Sequence, residues 1–178
     1  MAAAKDRTTP PAVGDYGAPY ARYVERVPNG DIVATLRGQI AETVALLEDL
    51  EPARTTTGYA PGKWSIRDIV LHMADTERVM GYRALRIARG DATPLPGFDE
   101  NAYTPMAGAN ARPIESLLSE LSLARAATVA MFDGFSGEAW DRRGTASGMA
   151  VSVRGLAWII AGHERHHRAI IGERYLQR

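Results

Sequence analysis

The 178-residue chain balances 21 basic against 21 acidic side chains and contains no cysteine. A net charge of zero leaves no global field to attract nucleic acid or anionic lipid, and the absence of thiols excludes disulfides, cysteine catalysis and cysteine-ligated zinc. Nothing reaches the length of a membrane span and residues 1–14 lack the apolar run of a secretion signal, so the expected location is the cytoplasm.

Residues 1–18, rich in Ala, Thr, Pro and Gly, read as a flexible arm, leaving residues 19–178 as a single domain long enough to bury a core. Pro28, Asn29 and Gly30 break the chain, and Asp31 then caps a helix to about residue 51 with Ile32, Leu36, Ile40, Val44 and Leu47 at helical spacing. Beyond the breakers of residues 52–63, Ser65 and Asp68 form a capping-box variant ahead of a second helix to about residue 89. Residues 90–112 carry repeated Pro and Gly and are too long for a simple connector; Phe98, Tyr103 and Met106 are the candidate side chains of a lid. Pro113 suits the first turn of a third helix through Leu117, Leu118, Leu121, Ala124 and Val129. Residues 133–150 read as irregular, and a fourth helix runs from about residue 152 to 176. No segment shows a strand's period of two, so the expected fold is all-α: a four-helix bundle with long connecting loops.

All four histidines fall on two of these helices, His72 on the second and His163, His166 and His167 on the fourth. At about 100° per residue, His163 and His167 share the apolar stripe of Leu156, Ile160, Ile170 and Ile171, whereas His166 lies on its flank. His72 sits at the edge of the stripe of Ile69, Met73, Met80 and Ile87 and can also look inward. Two imidazoles one turn apart plus a third from a facing helix are a common donor set for an open divalent-metal site, here His72, His163 and His167. Zinc is the expected ion, with nickel and iron also accepted by imidazole. Three neutral ligands leave the ion its full charge, which favours an anion such as hydroxide or thiolate in the open position. Asp75, Glu77 and Glu164 stand near enough in sequence to act as acceptors for imidazole N–H groups or as a proton acceptor, and nothing chooses among them.

Residues 163–167 also satisfy H-E-x-x-H, in which Glu164 would be the general base of a zinc protease, but Ile170 and Glu173 occupy the Gly and His positions of the longer signature. Arg142 and Arg143 are candidates to receive an acidic thiol cofactor, against the plainer reading of a solvated loop. Small residues around Trp158 on the outer face of the fourth helix fit either a homodimer contact or packing by the chain's own loops.

The stretches G-K-W-S-I-R-D-I-V-L-H-M-A-D-T-E-R and A-W-I-I-A-G-H-E-R-H-H-R-A-I-I, with Y-A-R-Y-V-E-R-V-P-N-G-D before them, resemble the DinB-like superfamily. The resemblance covers most of the chain beyond residue 18 and implies a four-helix bundle, often dimeric, whose metal-binding members use the positions of His72, His163 and His167. It also implies chemistry drawn from thiol-dependent transfer, with bacillithiol, mycothiol or glutathione, or from metal-dependent hydrolysis of a small molecule. A non-catalytic metal-binding stress-response module is the alternative.

Overall fold

The chain's structure, a computed structural model, describes residues 6–177. After a 3-10 turn at Ala18–Tyr20 come α1 (Ala21–Val24), α2 (Ile32–Leu47), α3 (Pro52–Thr55), α4 (Ile66–Ala88) and α5 (Glu100–Ala107). There follow α6 (Ile114–Gly134), α7 (Gly137–Trp140), a hairpin of β1 (Arg143–Ala146) and β2 (Met149–Ser152), and α8 (Val153–Ile170), which runs into a π-helical turn at Ile171–Leu176. The long helices α2, α4, α6 and α8 are those the periodicity marks. Asp31 caps α2 by accepting from Val33 N at 2.8 Å and Ala34 N at 3.1 Å. At α4, Ser65 Oγ accepts from Asp68 N at 3.0 Å while Asp68 Oδ2 accepts from Ser65 N at 2.9 Å, a reciprocal box that satisfies two otherwise orphaned donors.

Around the bundle, α2 packs on α6 and α8, and α4 packs on the same two helices. The successive long helices α2 and α4 are therefore diagonal partners, as are α6 and α8, so two of the connections cross an end of the bundle. The second crossing corrects the expectation that residues 133–150 are irregular and that the chain has no strand. Here β1 and β2 pair antiparallel from Arg143↔Ser152 to Ala146↔Met149. Their turn places Ser147 at φ 53° and Gly148 at φ 74°, both in the left-handed region. Leu95 joins the hairpin edge through Leu95 N to Thr145 O at 2.9 Å and Ser147 N to Leu95 O at 3.0 Å.

Of the arm expected at residues 1–18, residues 1–5 lie outside the described residues, and the following ones make hydrogen bonds to the bundle. Ile32 N donates to Arg7 O at 3.0 Å and Ser152 N to Asp15 O at 2.9 Å. Arg154 Nη1 donates to Asp6 O at 2.9 Å and Thr9 O at 3.0 Å. All four end on backbone carbonyls of this segment, a pairing invisible in a composition of Ala, Pro and Thr. They also explain the small residues of α8: a methyl group on Gly155 would stand 2.1 Å from Asp15 O, and one on Gly162 would stand 1.9 Å from Tyr23 O. Trp158 on the same helix is buried. This face of α8 is occupied by the chain itself, so its glycines provide no argument for a dimer.

The apolar interior divides into two clusters. One gathers Ile32, Leu36, Met80, Ile87, Phe132, Trp140, Leu156 and Ile160. The other gathers Leu47, Ile66, Ile69, Met73, Leu117, Leu121 and Ile171. Along each long helix, the change from one cluster to the other falls at buried polar residues: Gln39 and Thr43, Thr76 and Glu77, Arg125 and Thr128, His163 and Glu164. Together they form a polar belt across the bundle, and the histidines lie in it.

Candidate metal centre

The belt begins with charges that must find partners, since a lone buried ion is far costlier than a paired one. Arg125, on α6 and 2% exposed, donates to Glu77 of α4 at 2.7 and 2.9 Å and to Glu164 of α8 at 2.6 Å. A further N–H reaches Leu36 O on α2 at 3.0 Å, and Glu164 also accepts from Gln39 and Thr43. Burial raises the Glu77 carboxyl above its ordinary range while the Arg125 guanidinium opposes the shift.

Next to this triad, α4 and α8 bring His72, His163 and His167 together. His163 Nε2 stands 2.9 Å from His72 Nε2 and 3.1 Å from His167 Nε2. One ligand atom from each ring lies within 4.8 Å of the others. Burial lowers His72 to about 4. His163 and His167 are lowered by burial first and by neighbouring histidines second, so all three offer neutral imidazoles with free lone pairs at neutral pH. Aromatic neighbours pack against the rings: Trp64 lies tilted 4.8 Å from His72, and Tyr23 sits edge-on to His163 at 5.2 Å.

This donor set fits a divalent ion. Zn–N bonds of ~2.0–2.1 Å in tetrahedral geometry set nitrogens roughly 3.3 Å apart, and the closest pairs here are within a few tenths of that. His167 Nδ1 is buried without a hydrogen-bond partner. Among the described residues His167 Nδ1 thus lacks the usual carboxylate support, and His72 Nδ1 faces Thr76 Oγ1 at a long 3.5 Å.

The other sequence candidates stand apart. Glu77 and Glu164 both pair with Arg125, and Glu164, held further by Gln39 and Thr43, is not poised as the base that a zinc-protease reading requires. Asp75 pairs with Arg78 at 3.3 Å and lines a small crevice with His72 and Glu100. Arg143 pairs with Asp15 at 2.6 Å, Arg142 donates to Ala88 O, and neither lines a cavity beside the histidines. His166 packs its ring 5.3 Å from Tyr23 and 5.2 Å from His167, outside the cluster. Of the expected lid, Phe98 walls the site, Tyr103 lies against Phe98 at 5.6 Å, and Met106 is turned to solvent. The helical α5, with Pro105 inside it, replaces the loop expected there.

Sequence reasoning missed Arg125, although its place four residues after Leu121 on the third helix's apolar stripe was a readable signal. It also missed Glu100 and Arg22. These two charges of opposite sign line a cavity of about 190 Å³ that is floored by His72, His163, Met80 and Ile159.

A bundle in which two non-consecutive long helices converge three histidines on one point defines a class of helical metal-site scaffold. The chain belongs to the DinB superfamily, whose family model matches residues 35–171. It is 32% identical over 146 residues, 78% of this chain and 79% of the other, to a protein of Oceanobacillus iheyensis whose name proposes a metal-dependent hydrolase. The fold is that of YfiT from Bacillus subtilis, described as a probable metal-dependent hydrolase with an unusual four-helix bundle topology. The two superpose with a TM-score of 0.75 at 18% identity over 82% of this chain and 85% of YfiT. A mycothiol-dependent maleylpyruvate isomerase matches with a TM-score of 0.67 at 16% identity, over 84% of this chain and 62% of its own. No helix among the described residues is long and apolar enough to cross a membrane.

Proposed function

We propose that this DinB superfamily protein is a metal-dependent enzyme in which His72, His163 and His167 hold one divalent ion, zinc, through their Nε2 atoms. The cavity beside His72 and His163 admits water or a low-molecular-weight thiol together with a small electrophile. The observation that carries the reading is the convergence of three neutral imidazoles, the half-buried His72 and the buried His163 and His167, at 2.9 and 3.1 Å. A bound divalent ion supplies Lewis acidity and makes water or a thiol nucleophilic at neutral pH. The chain's own residues do the rest. Burial keeps the imidazoles unprotonated and ready to ligate, and Trp64 and Tyr23 fix the rings. Phe98, Met80 and Ile159 exclude bulk water, while Arg22 and Glu100 offer one charge of each sign to orient a polar substrate. The relatives named for hydrolysis support water as nucleophile, and the mycothiol-dependent neighbour supports a thiol. The setting is the cytoplasm. A homodimer, implied by the family resemblance, is to be measured by light scattering.

The test is elemental analysis of protein purified without a metal-affinity tag, wild type beside His163→Ala. About one equivalent of divalent metal, lost in the variant, is expected. No metal in the wild type and no uptake on reconstitution overturns the reading. Activity lost in His72→Ala with the fold intact separates an enzyme from a bundle that the ion merely braces.

A further inference from the structure

A second cavity, of about 250 Å³, opens between the loop leading into α4 and the end of α8 and shares no lining residue with the first. His167 forms part of its wall, so it approaches the histidine cluster from a different side. Its other walls include Trp64, Tyr175, Ile69, Ile170 and the Asn101 amide, with the exposed Lys63 beside them. The aromatic walls are braced: Tyr175 Oη donates to Trp64 O, and Tyr59 sets its ring edge-on to Tyr175 at 5.2 Å. Burial pushes the Tyr175 phenol up to about 12, so it stays neutral. No carboxylate lines this cavity, and Lys63 makes no ion pair among the described residues. One uncompensated cation over an aromatic and aliphatic slot is the complement of a small anion with a flat or apolar body. The volume lies below the ~300–1,000 Å³ of drug-sized sites, which limits the body to about one ring.

We propose that this cavity is a subsite for a small organic monoanion, a one-ring aryl or short alkyl carboxylate, with Lys63 pairing the carboxylate and Trp64 and Tyr175 holding the body. Binding there does not require the ion. Its place in a reaction, as the slot that brings the electrophile to the histidine centre, rests on the metal reading above.

Benzoate and its neutral isostere benzamide are the probes, titrated by calorimetry and by the Trp64 indole resonance into as-purified and chelator-treated wild type, Lys63→Gln and Lys63→Arg. The expected result is benzoate binding in both wild-type preparations, weakened about fivefold in Lys63→Gln, on the scale of one solvated ion pair. Lys63→Arg restores it, and benzamide binding is the same in every variant. Benzoate binding unchanged in Lys63→Gln, a Trp64 resonance that does not move, or no binding at millimolar benzoate overturns the subsite. Binding confined to metal-loaded protein also overturns it, because the carboxylate is then on the ion; that outcome leaves the metal centre standing, whereas absence of metal leaves the subsite standing.

Discussion

Replacing Arg125 by Met removes the cation from the buried triad while keeping an unbranched apolar stem in its place. Four charge-assisted hydrogen bonds disappear: two to Glu77, at 2.7 and 2.9 Å, one to Glu164, at 2.6 Å, and one to Leu36 O, at 3.0 Å. Glu164 keeps Gln39 and Thr43, but Glu77 loses its bidentate partner at 3% exposure. Breaking a buried pair from one side costs about 3–5 kcal/mol, a large part of the ~5–15 kcal/mol that holds an ordinary domain together. The loss carries a pH signature. Burial already raises Glu77 above 4.5, and without the guanidinium it rises further. The folded variant then holds a proton that the unfolded chain releases, so its stability increases as pH falls from the raised value toward 4.5, by ~1.4 kcal/mol per unit for each such carboxylate. Urea unfolding followed by tryptophan fluorescence, in chelator at pH 8 and pH 5, should show a deficit against wild type that is large at pH 8 and smaller at pH 5. Adding Glu77→Gln and Glu164→Gln to Arg125→Met should recover much of it. A deficit below about 1 kcal/mol, or one that stays constant or grows toward pH 5, would refute the triad as a charge-balanced unit.

Because burial depresses His72 from 6.5 to about 4, the unfolded chain takes up that proton first. Chelator-treated wild type should therefore keep full stability above pH 6.5 and lose about 3 kcal/mol from this group between 6.5 and 4, with His163 and His167 adding in the same direction; an unfolding free energy flat over that window rules this out. Gly162→Ala should destabilise by about 1–3 kcal/mol in thermal melts, because its new methyl meets a backbone oxygen that cannot turn aside. Gly38→Ala, in the exposed interior of α2 with open space around it, should stabilise by about 0.5–1 kcal/mol, and an equal effect of the two substitutions would contradict the close approach of α8 to Tyr23.

The parts of the fold that could be read in advance are those in which local chemistry and long-range packing agree. Asp31 and the Ser65–Asp68 box mark helix starts by their own hydrogen bonds, and the i, i+4 spacing of His163 and His167 survives in any helix that buries that face. The hairpin escaped notice because β1 and β2 are four residues each and gain their order from Leu95 and from Arg83, which bonds Pro96 O at 2.7 Å and Ser147 Oγ at 2.9 Å. The Ser147–Gly148 turn was its one local signal. Glu77 and Glu164 were recognised as close to the histidines but not as bound to Arg125, since sequence distance on α4 and α8 says nothing about what a third helix presents to both. Arg142 and Arg143, adjacent cations suited by sequence to an acidic thiol, instead find their partners in a helix carbonyl and the N-terminal segment.

The polar belt also governs how far the helices can slide along one another. An apolar bundle tolerates axial displacement because one leucine replaces another. Here a shift of α6 by one turn, ~5.4 Å, would carry Arg125 away from Glu77 and Glu164 and set an apolar side chain against two buried carboxylates. The same shift of α4 against α8 would part His72 from His163. Only one alignment satisfies both the charges and the imidazoles, so the belt acts as a keyway that sets the bundle's register, much as a single buried asparagine does in a coiled coil. The alignment that pairs the charges thus also brings the three histidines together, leaving Trp64 and Tyr23 only to set the tilt of their rings.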